Sequence, residues 1–165
     1  MTELDKILNG WKINNNYAHF LLKNLKAEWL NCVLYEKSRT IEEQFDHIIR
    51  MRLMWSSKIN NKLGNESAIK TSNKNSLFLR LDNSSKRIIE TFNFLNICDN
   101  DKFELFTLYT RLIAHESHHR SQIIAIIKVN HLEINPYVNY GLWNWVAFYK
   151  FTPTEAKLIE PLLVN

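Results

Sequence analysis

Six histidines occur in the chain, and three of them fall within the five residues His115-Glu116-Ser117-His118-His119. The apolar period through this stretch runs Leu105, Leu108, Leu112, His115, His119, Ile123, Ile126. Two histidines therefore take positions where an amphipathic helix carries aliphatic side chains, and both point into a core. Residues four apart on a helix have Cβ atoms about 6 Å apart, so two imidazoles can meet one ion at bonds of about 2.1 Å. Burying them side by side with neither an ion nor a partner is costly. His118 lies about 100° around the helix from His119, on the flank. A third ligand has to come from another helix. His47 is the leading candidate, on a face shared with Gln44, Met51, Met54 and Trp55 that reads as a partly polar pocket wall. His19, off the stripe of its own helix, and His131, past the end of the histidine-rich one, are the weaker candidates.

The same residues spell His-Glu-x-x-His, the zinc-peptidase motif with Glu116 as general base. A metzincin continues with Gly and His where this chain has Gln122 and Ala125, and other peptidases of this kind need a sheet and a later third ligand that the chain does not offer. Glu116 is expected instead to pair with Arg120 across one helical turn, at the surface.

The elements that position these residues are helical. Only three Gly and three Pro occur in 165 residues, too few turns for a sandwich, a barrel or a doubly wound sheet. A first stripe runs Leu4, Leu8, Trp11, Asn15, Ala18, Leu22, Leu25, Trp29, weakened at its front by Gly10 and Asn15. Thr40-Ile41-Glu42-Glu43 is a capping box that opens a second helix through Phe45, Ile48 and Trp55. Residues 60–75 read as a polar loop. A third stripe runs Leu77, Leu81, Ser84, Ile88, Phe92, Leu95 up to a turn at 96–102, and the fourth helix runs from about Phe103 to Val129. The expected fold is all-α, one antiparallel four-helix bundle spanning 1–165. It carries an aromatic tail over Tyr137–Phe151 and a short last helix signalled by Thr152-Pro153-Thr154-Glu155. The asparagine clusters at 14–16 and 60–75 read as loops and caps or as codon bias.

The longest apolar runs are five residues, far below a membrane span, and the first residues show no apolar leader, so a cytoplasmic protein is expected. Cys32 and Cys98 stand far apart in no C-x-x-C pattern and are expected to be free thiols. The net charge of +4 is spread over scattered Lys and Arg, with no basic block or aromatic motif for nucleic acid.

The run Phe45-Asp46-His47-Ile48-Ile49-Arg50-Met51, taken with Leu112-Ile113-Ala114-His115-Glu116-Ser117-His118-His119-Arg120, resembles the DinB/YfiT-like superfamily. The likeness runs from the first helix to the stretch Tyr140-Gly141-Leu142-Trp143-Asn144-Trp145, with Ser121 where members often have Gly. It implies a four-helix bundle in which His47, His115 and His119 bind a divalent metal. It also implies a metal-dependent enzyme, a thiol S-transferase or a hydrolase, with no DNA chemistry. Three imidazoles leave coordination positions open, unlike a closed structural site, and an open ion brings a bound water or thiol toward ionisation at neutral pH. Zinc, nickel, iron and manganese are all candidates for the ion, since imidazole suits several metals. Gln44 and Gln122 can orient ligands or substrate, or simply lie at the helix surface. The expected substrate is a small molecule such as a low-molecular-weight thiol, and the aromatic tail is a candidate surface for a homodimer. The alternatives are a non-enzymatic metal-binding or stress-response module with a structural ion and, remotely, the peptidase.

Overall fold

Thr2 and Asp5 exchange hydrogen bonds: the Asp5 amide donates to Thr2 Oγ1 (3.1 Å) and the Thr2 amide to Asp5 Oδ2 (2.8 Å). This capping box opens α1, Glu3–Asn24, and satisfies two amides that helix geometry leaves without partners. The computed structural model describes residues 1–60, 73–98, 103–135 and 138. A 3-10 helix, Ala27–Asn31, follows α1 and carries Trp29 into the core. The expected capping box at Thr40 and Glu43 starts α2, Ile41–Ile59. Asn73 Oδ1 accepts from the Ser76 amide to start α3, Lys74–Ile97, within the stretch expected to be loop. Glu104 accepts from the Phe106 and Thr107 amides and starts α4, Leu105–Val129.

The protein is an all-α helical bundle, as its composition requires. Among the described residues the sole β feature is an isolated bridge between Val33 and Thr40. Trp11 bonds Ser85 and Lys74 Nζ bonds the Lys23 carbonyl, so α1 and α3 run in opposite directions. Gly10 meets Tyr109 and Asn14 meets Glu116, so α1 and α4 run the same way. The polar loop at 60–75 lies mostly, and the turn at 96–102 partly, outside the described residues. The aromatic tail, apart from the buried Val138, and the last helix lie outside them as well. No described helix is long and apolar enough to cross a membrane. Cys32 and Cys98 are both free.

α1 does not weaken at its front. Gly10 is a contact point: a Cβ there would stand 2.1 Å from Tyr109 Oη, so the absent side chain lets α4 approach the α1 backbone. The core has two apolar clusters. One gathers Phe45, Ile48, Ile49, Leu77, Leu81 and Ile123, and the other Trp11, Ile88, Phe92, Leu108 and Leu112. A polar layer crosses the bundle between them, with Asn14 and Asn15 from α1, Arg52 and Ser56 from α2, Ser84 and Ser85 from α3 and Glu116 from α4, all buried. The asparagines at 14–16, read as loop or codon bias, are thus interior residues of a helix.

Candidate metal centre

Arg52 is fully buried and is the hub of the polar layer. Its Nε and Nη2 donate to the two oxygens of Glu116 at 2.6 and 2.7 Å, and Nη1 donates to Asn15 Oδ1 (2.8 Å) and to the Leu81 carbonyl (3.2 Å). Asn14 Nδ2 donates to Glu116 Oε2 (2.7 Å), and the Trp11 ring lies 4.9 Å from the guanidinium carbon. A fork-to-fork pair of this kind carries both strength and geometric specificity. Glu116 is therefore not the surface partner of Arg120. It is 1 % exposed, and its i,i+4 ion pair with Arg120, Nη1 to Oε2 at 3.6 Å, is a buried one longer than a hydrogen bond. The expected pair exists but lies in the interior, and the hydrogen-bonded partner of Glu116 is Arg52 on another helix, which spacing within α4 does not reveal. A carboxylate committed to Arg52 and Asn14 is not placed to act as the general base of a peptidase.

One helical turn along, the imidazoles of His47, His115 and His119 converge. His47 Nε2 lies 3.3 Å from His115 Nε2, and His119 Nε2 lies 3.1 Å from the same atom. Ligands bonded at about 2.1 Å around a tetrahedral ion stand about 3.4 Å apart. The tautomer of His119 follows from its neighbours. Gln44 Oε1 and Gln122 Oε1 face its Nδ1 at 2.7 and 3.1 Å, and since carbonyl oxygens only accept, Nδ1 bears the proton and Nε2 keeps its lone pair. His115 Nε2 can donate one proton to one neighbour only, so these nitrogens cannot all satisfy one another. A cation satisfies all three. Gln44 and Gln122 thus orient His119, as partners of metal-ligating histidines do.

Burial holds His47 and His119 mostly neutral, each with a pKa lowered to about 4. The Arg39 charge adds to the effect at His47, and the other two imidazoles add to it at His119. Burial also lowers His115. Neutral imidazole is the form that binds a metal. Comparison with protein-family models, curated proteins and solved structures yields no match. The geometry of the chain itself therefore carries the functional argument.

Three of the six histidines form the one metal-capable cluster among the described residues. His118 is exposed on the flank. His19 is buried in α1, stacked on Phe78, with Nε2 3.0 Å from Asp82 Oδ1 but outside hydrogen-bond geometry. His131 lies beyond α4 with φ of 50°. Beside the cluster is a pocket of about 390 Å³, whose walls include Gln44 and Gln122. Met51, Met54 and Trp55, expected on the same wall, do not line it. Its other wall is the turn 34–39, which no sequence periodicity marks.

Proposed function

We propose that this chain is a DinB/YfiT-like metal-dependent enzyme acting on a small molecule, as a thiol S-transferase or a hydrolase. The observation that carries the proposal is the meeting of three Nε2 atoms, one with its lone pair fixed by two glutamine carbonyls. His47, His115 and His119 hold the ion, and three ligands leave room for substrate. A bound divalent ion would bring the pKa of a coordinated water or thiol toward neutrality. The chain's own residues prepare the site. Gln44 and Gln122 fix the His119 ring, and the Arg52–Glu116 pair holds α4 in register against α2, so that His47 and His115 face each other.

A structural ion is less well supported, because two apolar clusters and the polar layer hold the helices together without it. The test is a screen of thiol transfer and ester hydrolysis with the full chain. Turnover should stop on chelation, return with added zinc, nickel, iron or manganese, and not return in His115→Ala. Turnover that survives chelation would contradict the proposal.

A further inference from the structure

The pocket beside the imidazoles has a built wall. Ser38 Oγ accepts from the Leu34 and Tyr35 amides at 3.0 and 3.1 Å, and Lys37 sits at φ of 65°. Asn130 Nδ2 donates to the Val33 carbonyl (2.8 Å), which ties the turn to the end of α4. The polar lining consists mainly of donors. Gln44 Oε1 and Gln122 Oε1 are both committed to His119 Nδ1, so each amide has its NH2 group left to offer. Arg39 and Lys37, both exposed, line the pocket together with Tyr35 and Ser38, and neither cation makes an ion pair among the described residues. Among the described residues no carboxylate lines the pocket. Of the nearby acids, Glu43 is engaged at the Thr40 cap and Asp46 with Arg50 and Arg80, while Glu36 of the same turn is exposed and outside the lining. Leu34 and Ile126 add an apolar surface. Arg39 shares the pocket with Gln44 and Gln122, whose carbonyls hold the His119 ring.

We infer that this pocket binds a small carboxylate with a short apolar chain. The acid group is held by Arg39, Lys37 and the amide NH2 groups of Gln44 and Gln122, and the chain lies on Leu34 and Ile126. Guanidinium presents paired donors that match a carboxylate, and a volume near the lower end of ligand sites suits a small molecule. As the substrate class of the metal centre, this inference rests on the function proposed above. As a binding site, it rests on the lining alone.

The test is calorimetric titration of the zinc-loaded full chain with hexanoate, hexan-1-ol and hexylamine. Hexanoate should bind and the other two should not, and Arg39→Gln should weaken hexanoate by at least about tenfold with helix content and zinc content unchanged. Absence of hexanoate binding would overturn the inference, as would equal binding of the alcohol. Affinity unchanged in Arg39→Gln but lost on removing zinc would place the acid on the ion and also overturn it. Zinc content is read in the same samples, so a chain that takes up no zinc on loading yet binds hexanoate through Arg39 would count against the metal reading alone.

Discussion

At the scale of single residues, the site is set by the hydrogen bonds behind the ligands. Gln44 is 5 % exposed and its carbonyl is the nearer acceptor for His119 Nδ1. Gln44→Leu should leave the fold intact and weaken metal binding by about 10–100-fold, measured by competition with a chromophoric chelator. An unchanged affinity would mean that Gln122 alone suffices. Protonation gives a second prediction. His47 and His119 bind protons near pH 4 in the folded chain and near 6.5 when unfolded. Between those values the unfolded chain carries more protons, so folding stability rises with pH across the window and this contribution is fully present above it. Urea midpoints of the metal-free chain should therefore fall as pH drops from 7 to 4.5, and a flat profile would contradict the assigned burial of these rings.

At the scale of elements, α1 and α4 meet where a side chain is missing. Gly10→Ala gains about 1 kcal/mol of helix propensity, yet its Cβ collides with Tyr109 Oη, and overpacking of this kind costs about 1–3 kcal/mol. The substitution should destabilise the wild-type chain and stabilise a Tyr109→Ala background, read as opposite shifts in urea midpoint. The histidine pair was legible in the sequence because His115 and His119 break an apolar period. Arg52 breaks the α2 period in the same way, at the position after Phe45, Ile48 and Ile49, but an arginine in a helix reads as a surface residue until its partner is seen. Asn14 and Asn15 were misread for a related reason. Their weak helix propensity suggests a loop, and only Glu116 and Arg52, far away in sequence, explain their burial. The turn 34–39 has no periodic signal, so the pocket it walls could not be foreseen.

At the scale of the whole molecule, a charged layer separates two apolar clusters and also fixes the height at which the ligands stand. Removing one partner of a buried ion pair leaves the other charge uncompensated and costs about 3–5 kcal/mol. Arg52→Met and Glu116→Leu should each destabilise by about that much in urea titrations, with the double variant losing less than the sum of the two. Additive losses would mean that the two side chains act separately. The helical class and the number of long helices were legible from scarce Gly and Pro and from the stripes. The antiparallel arrangement expected of the helices holds for α1 and α3 but not for α1 and α4, since directions depend on contacts such as Trp11 with Ser85 and Asn14 with Glu116 that leave no local trace. The most direct test of the metal centre is elemental analysis of the untagged full chain after zinc loading and dialysis. About one ion per chain is expected, falling to background in His47→Ala, His115→Ala and His119→Ala, each checked for helix content; a wild-type chain without metal, or variants that keep it, would contradict the account.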